Sequence, residues 1–387
     1  VKLVYIANAR IPTEKANGLQ IMQNCEAFAQ AGAEVRLWIP ARRNTAVLDG
    51  VDPFAHYGVE RRFTIERLPC VDLLPLVPDR SDALAQAIFW VQWVTFTLTA
   101  FIRALFTRAD VFYSRDALIL LALSWVRPKR ALAYEAHSMT RIGRLAARRV
   151  GSVVTTTGRL ADEMKAAGAA RVMAAHDGIR AARFETLLDR SAARWAVGWE
   201  TDAFIVGYVG RLHTMGMDKG VGRLVEALAN RDGVALALVG GPDEMAAALR
   251  ERWVALGGRE QDFLYAGQVA PERVAVYIRA FDVCALPLPW TEHFAHYASP
   301  MKLFEYMAAG RPIIASDLPS AREVLTEGET ALFFPPDDVG AIRAAVERLR
   351  SDPALRGELA AHGRALALEK YTWEARAEAI LAFVEGA

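Results

Sequence analysis

Cysteine is scarce in this 387-residue chain: Cys25, Cys70 and Cys284 stand far apart, and no Cys-x-x-Cys pair occurs. That excludes a disulfide framework and a thiolate zinc site, and fits a reducing, cytoplasmic setting. Charge of either sign is not in excess, since 46 Lys and Arg meet 45 Asp and Glu for a net charge of +1. Bulk electrostatics therefore favours neither nucleic acid nor an acidic surface as partner. No G-x-G-x-x-G follows the first apolar run, which argues against a dinucleotide-dependent oxidoreductase. Low-complexity segments and internal sequence repeats are absent. The opening VKLVYIANAR has neither the basic start nor the apolar centre of a secretory leader, and reads as a strand.

What the chain does have is apolar substance, 53% hydrophobic against 24% charged residues, and a length that suggests two cored domains. Strand and helix patterns alternate. Lys2–Ala7 reads as a strand, Gly18–Gln30 as an amphipathic helix and Glu34–Ile39 as a strand, with Gly32 as the helix stop. Further strands are expected near Val111–Tyr113, Ala131–Tyr134, Ser152–Thr155 and Val172–Ala174. The alternation restarts at Phe204–Val209 and continues through Val234–Val239, Phe263–Tyr265, Val283–Leu286 and Pro312–Ala315. Such a pattern predicts an α/β protein with two Rossmann-like, doubly wound domains, 1–178 and 202–370. A polar, Arg-rich stretch, 179–201, reads as the linker, and a last helical run, 371–387, is left to pack on either domain. Ligands of such sheets sit at the carboxyl ends of the strands, so the expected site is a cleft between two facing domains.

Four segments carry candidate chemistry. In YASPMKLFEYMAAGRPIIASD, Tyr297 to Asp317, Ser299 can cap a helix whose first position suits Pro300. The amides of Met301 and Lys302 would then be free to meet an anion such as a diphosphate. Glu305, one turn on, could accept two hydrogen bonds from a ribose diol; a capped surface helix with a solvated glutamate reads the same way. In GYVGRLHTMGMDKG, Gly207 to Gly220, Arg211 and Lys219 bracket a loop between strand and helix, where two cations suit a leaving diphosphate. They equally fit two surface charges. The loop Arg10–Gly18 ends in Asn17 and Gly18, where glycine permits close approach of a phosphate or sugar. His137, in AYEAHSMT, follows a strand and can orient a substrate or donate to a phosphate oxygen; a lone histidine is also commonly structural.

Arg211 with Lys219-Gly220, LVGG at Leu238–Gly241, AGQV at Ala266–Val269 and SPMKLFEYMAAGRPIIASD together resemble the retaining glycosyltransferases of family 4, of GT-B fold. IPTEKANGLQIMQNCEAFAQAG and YTWEARAEAIL are similar to that family too, and the resemblance is weakest from Asn44 to Phe106. It implies transfer, with retention, of a sugar from a UDP- or GDP-type donor to an acceptor, without a bound metal or other cofactor. Arg211 and Lys219, with the Met301 and Lys302 amides, would hold the diphosphate. Glu305 would bind the ribose and the backbone near Val269 the base, while His137, Asn17 and Gly18 would face the transferred sugar and phosphates. Catalysis would rest on positioning and charge stabilisation. Tyr297 stands where the family often has a further glutamate, Glu292 is off register, and the Arg211–Lys219 loop is about three residues longer than usual. The chain has no Asp-x-Asp triplet, the usual metal–nucleotide anchor of the other main glycosyltransferase fold. A nucleotide-sugar epimerase and a non-catalytic nucleotide-sugar binder share this architecture and remain as alternatives.

Ala83–Phe106 is long and apolar enough to span a bilayer, but Gln86, Gln92, three threonines and Arg103 interrupt it. The expectation is a helix packed into the core of the first domain. The alternative is a monotopic contact at the inner face of a membrane, assisted by Arg141, Arg144, Arg148 and Arg149 and in keeping with a lipid-linked acceptor.

Overall fold

The computed structural model describes residues 1–13, 15–73, 83–214 and 216–386. Glu14 of the Arg10–Gly18 loop and Met215 of the Arg211–Lys219 loop lie outside them. The chain divides into two compact units, Val1–His176 with the C-terminal helix, and Asp177–Thr372.

The first unit runs β1 (Lys2–Ile6), α1 (Ala16–Gln30), β2 (Glu34–Pro40), α2 (Pro53–Tyr57), β3 (Thr64–Leu68), α3 (Ala83–Leu105), β4 (Val111–Ser114), α4 (Ala117–Leu123), β5 (Leu132–Ala136), α5 (Arg141–Ala147), β6 (Ser152–Thr155), α6 (Gly158–Ala166) and β7 (Val172–Ala174). Its seven strands are all parallel, in the order β3-β2-β1-β4-β5-β6-β7. β1, β4, β5 and β6 lie buried on both faces, as a sheet covered by helices requires. The strand order turns back between β1 and β4, the switch point where such sheets open a crevice.

The second unit runs α7 (Arg190–Val197), β8 (Phe204–Val209), the hairpin β9 (His213–Thr214) and β10 (Met217–Asp218), α8 (Val221–Leu228), β11 (Val234–Val239), α9 (Asp243–Ala255), β12 (Phe263–Tyr265), α10 (Val274–Ala280), β13 (Val283–Leu286), α11 (Glu292–His296), α12 (Met301–Ala308), β14 (Ile313–Ser316), α13 (Pro319–Arg322), β15 (Leu332–Phe334), α14 (Val339–Ser351) and α15 (Pro353–Lys370). Its six-stranded parallel sheet is ordered β12-β11-β8-β13-β14-β15, with the switch between β8 and β13. α16 (Trp373–Glu385) packs on α1 of the first unit.

Three readings change on inspection. Residues 179–201, expected as a linker, carry α7, and buried Arg194 ties it down. Arg194 binds Asp282 Oδ2 at 2.6 Å and the carbonyls of Ala280 and Thr201 at 3.1 and 2.7 Å. β3 and β15 were not foreseen. β3 is a half-exposed edge strand, TIERL, whose polar residues give little apolar signal. α3 is not the expected core helix. Phe96, Ala100 and Ala104 are buried, but Trp90, Val94, Leu98 and Ile102 lie in solvent. Apolar content showed that the helix needs cover, and one unit covers only one of its sides.

Candidate functional site

The second unit gathers most of the candidate residues at the carboxyl ends of its strands. After β8, Gly210 takes φ 120°, and a Cβ there would stand 3.1 Å from Lys302 Nζ. Only glycine holds that backbone and leaves room for the ammonium. The extra residues of the Arg211–Lys219 loop fold into the β9–β10 hairpin, with His213 opposite Asp218. Its base is pinched shut by the Lys219 amide, which donates to Leu212 O at 3.0 Å. The insertion is thus looped out, and Lys219 returns beside the end of β8. Gly220, at φ 75°, opens α8; a Cβ there would lie 1.8 Å from Pro287 O.

Lys302 sits one residue inside α12. Its ammonium lies 3.8 Å above the Tyr208 ring and donates to the Tyr208 hydroxyl, which itself donates to Arg211 O at 2.8 Å. Burial, reinforced by the nearby Lys219 cation, holds the Lys302 ammonium well below the ordinary lysine range, with Glu305 opposing. Burial also lowers Lys219, whose Nζ lies 4.8 Å from the Phe294 ring centroid. Burial raises the Glu305 carboxyl, countered by Arg183 and Lys302. Among the described residues, Arg211, Lys219 and Lys302 form no ion pair. Two half-buried ammonium groups close enough to repel one another, with no carboxylate in ion-pair contact with either among the described residues, form a candidate anion site.

The α12 terminus is built differently from the expectation. Pro300 is itself the N-cap and makes no side-chain cap bond. The Ser299 hydroxyl instead accepts from the Asp177 amide at 3.0 Å, so the serine fastens the entry of this unit rather than the helix end. The Met301 and Lys302 amides remain uncapped by a side chain and add the positive end of the helix dipole. Tyr297 closes α11, its amide donating to His293 O at 2.9 Å, and Val269 is half-buried against the core after β12.

In the first unit, His137 follows β5, and its Nε2 lies 2.9 Å from Glu135 Oε1. Glu135 was not anticipated, nor were its other partners. Arg376 Nη2 of α16 stands at 3.1 Å, and Asn24 Nδ2 and the Tyr5 hydroxyl each at 3.3 Å. Burial alone would raise the Glu135 carboxyl, but Arg376, with His137 and Arg115, holds it well below the usual range. An ionised carboxylate only accepts, so His137 Nε2 carries the hydrogen and Nδ1 is left as an acceptor. Burial and the Arg115 cation push His137 down to about 4, so the ring is neutral near pH 7. A neutral ring whose N–H is engaged can accept from a substrate hydroxyl; it has no proton for a phosphate oxygen. Asn17 and Gly18 are in the first turn of α1 rather than in a loop. The space beside Gly18 is taken by Tyr57, whose hydroxyl would be 2.2 Å from an added Cβ, so packing by itself explains that glycine. Asn17 Oδ1 is buried and unpartnered. The Glu-x-His spacing at the end of β5 was the available signal for Glu135; nothing local announced Arg376.

Residues 203–352 match the family described as Glycosyl transferases group 1. The chain is 34% identical over 171 residues to a phosphatidyl-myo-inositol mannosyltransferase of Mycobacterium leprae, covering 43% of each protein. It is 29% identical over 245 residues to the lipopolysaccharide core biosynthesis mannosyltransferase LpsB of Rhizobium meliloti, covering 62% of this chain and 66% of LpsB. The matched part is therefore under two thirds of either relative's own length. Over the whole chain, a sucrose-phosphate synthase from Thermosynechococcus elongatus superposes with TM-score 0.76 at 20% identity, covering 99% of that chain. HepE of Anabaena, in complex with UDP and glucose, does so with TM-score 0.71 at 17% identity, covering all of that chain. With the lipopolysaccharide galactosyltransferase WaaB as a further neighbour, these likenesses show a GT-B fold.

Proposed function

We propose that the protein is a retaining, family 4-type glycosyltransferase that moves a sugar from a nucleoside-diphosphate sugar to an acceptor alcohol in glycan or glycoconjugate synthesis. The observation that carries this reading is the pair of half-buried ammonium groups, Lys219 and Lys302, set without a carboxylate bridge at the uncapped start of α12 and the loop that Arg211 opens. That arrangement suits two phosphates at the end of a parallel sheet. The match over 203–352, and the UDP bound by the neighbour HepE, support it.

In this reading the donor's C1–O bond breaks and its electron pair leaves on the diphosphate, where Arg211, Lys219, Lys302 and the α12 amides stabilise the growing charge. The acceptor oxygen bonds to C1 on the same face, and its proton passes to the departing phosphate oxygen. Glu305 accepts from the ribose hydroxyls, and the backbone near Val269 meets the base. His137 accepts from a substrate hydroxyl through Nδ1 and orients it. The diphosphate charge is carried by this chain's own cations, so transfer is expected to survive EDTA.

The test is calorimetric titration with UDP, GDP and their sugars, followed by product anomer analysis with simple alcohols. Tight diphosphate binding and a product of the donor's anomeric configuration are expected. An inverted product overturns retention, and absence of diphosphate binding overturns the site. Interconversion of the donor sugar without an acceptor would identify an epimerase.

A further inference from the structure

Among the described residues, α3 is fastened along one side. Gln92 Nε2 donates to Asn8 Oδ1 at 3.0 Å, the Trp93 indole donates to Asp116, and Arg127 of the following turn reaches the carbonyls of Ala104 and Thr107. The other side is a stripe at helical spacing, Val91, Val94, Leu98, Ile102 and Leu105, each between 45% and 55% exposed, with Trp90 at 46% beside it and Phe106 at 81% beyond its end. The stripe runs for about 20 Å at 1.5 Å per residue. The helix carries one charged residue, Arg103, whose guanidinium pairs with Glu66 at 3.1 Å. Soluble monomers seldom leave so long an apolar face in water.

Charge identifies what the face is suited to meet. α4 packs on α3, and α5 packs on α4. Residues 83–158, which hold these three helices, contain ten Lys and Arg against three carboxylates, while the rest of the chain carries more carboxylates than cations. All three carboxylates are engaged: Asp110 accepts from the Lys2 amide at 2.7 Å, Asp116 from Trp93, and Glu135 from Arg376. Arg103, Arg115 and Arg127 are engaged within the unit, by Glu66, by Gln20 and by the carbonyls of Ala104 and Thr107. On α5 and just after it, Arg141 and Arg144 are exposed, Arg148 is exposed with its Nε donating to Ala167 O at 2.6 Å, and the Arg149 guanidinium lies over the ring of Trp125, itself 78% exposed.

We infer that the α3–α5 face of the first unit is a docking surface for a bilayer containing anionic lipid, with the α3 stripe entering the headgroup–acyl boundary and the arginines of α5 meeting the headgroups. Tryptophan beside aliphatics, ringed by arginine, matches that boundary layer. Although α3 passes the length and composition of a membrane span, its buried side belongs to the unit's own core, so it lies along the surface rather than across it. The inference stands apart from the proposed activity and holds whether or not a sugar is transferred.

The test is co-flotation of the full chain with phosphatidylcholine vesicles, with and without phosphatidylglycerol. Binding to the anionic vesicles, a blue shift of tryptophan emission and release at high salt are expected. Val94→Glu with Leu98→Glu should abolish binding. Arg141→Ala and Arg144→Ala should each weaken it about fivefold, the effect of about 1 kcal/mol per surface cation. These are solvent-facing positions; should the glutamate variants fail to fold, the arginine variants and the salt series still read the interaction. No binding to anionic vesicles, equal binding by the variants, or burial of α3 in a dimer seen by light scattering would overturn the inference. Undiminished transfer to a water-soluble acceptor by a variant that no longer floats would separate the surface from the sugar chemistry.

Discussion

Arg376 in the first unit is buried and Lys302 in the second half-buried, and they are held in opposite ways. Arg376 meets its charge inside the protein: Glu135 at 3.1 Å, Asn24 Oδ1 at 2.9 Å and His176 O at 3.0 Å. Lys302 has a tyrosine ring and hydroxyl, with a second lysine close enough to depress it further. A cation left this way costs stability, which Glu305 opposes only in part and an incoming anion would offset further. The first unit thus closes its charges to fix a geometry, and the second leaves Lys219 and Lys302 without an ion-pair partner among the described residues, as the proposed diphosphate site requires.

The comparison is broken most sharply at Arg376. Arg376→Ala leaves Glu135 buried and ionised without its main partner, and should destabilise the chain by about 3–5 kcal/mol. Thermal or urea unfolding checks this, and a loss below about 1 kcal/mol would show that Glu135 does not depend on the pair. Lys302→Met and Lys219→Ala should do the reverse, leaving stability unchanged or improved while donor diphosphate affinity falls. Losing one charge-assisted hydrogen bond is worth about 1.5–3 kcal/mol, so titration with UDP or GDP should show a weakening of roughly tenfold or more. Arg211→Ala should act likewise. Unchanged affinity in all three would remove the anion site. Calorimetry of the wild type in buffers of different ionisation enthalpy sharpens the point. The bound diphosphate should raise the depressed Lys302, so binding should take up protons at pH values above its depressed pKa.

A smaller effect is expected at Glu305. Glu305→Gln keeps an acceptor but loses its charge, at about 1 kcal/mol for the change from a charged to a neutral hydrogen bond. It should raise the donor Kd and KM with kcat nearly unchanged, because ribose contacts persist from ground state to transition state. A collapse of kcat with intact donor affinity would move Glu305 to the anomeric centre.

How far each half of this comparison could be read in advance follows from its chemistry. The sheets were legible because buried parallel strands such as VALALV at Val234–Val239 are nearly continuous apolar runs. The candidate anion site could be proposed from sequence because its parts lie in two short contiguous motifs, Gly207–Gly220 and Tyr297–Asp317. The closed network could not, since Glu135 and Arg376 are 241 residues apart and neither sits in a pattern that requires the other. Ser299 illustrates a local rule losing to a tertiary bond, its hydroxyl spent on the Asp177 amide instead of on α12. α3 shows the limit of hydropathy, which measures how apolar a helix is and not how many of its sides the fold will cover.

The mildest test of the closed network is pH. His137 is pushed down to about 4 in the folded chain by burial and by Arg115, against about 6.5 when unfolded. The sign follows from proton binding. Between these values the unfolded chain binds the proton and the folded chain does not, so acid favours unfolding. The histidine's contribution is therefore fully present above about pH 6.5 and drains away as pH falls toward 4. His137→Gln should flatten this part of the stability–pH curve while leaving the neutral plateau in place. The same neutrality means that a rate profile between pH 5 and 8 should show no break from His137, for the ring serves as a fixed acceptor and not as an acid. Histidine NMR gives the direct readout: in the wild type, the Nε2–H tautomer should persist through that range. In Glu135→Gln the side-chain amide can either donate or accept, so the tautomer should become mixed. A ring found protonated at pH 6, or unmoved in tautomer by Glu135→Gln, would show that the carboxylate does not set its state.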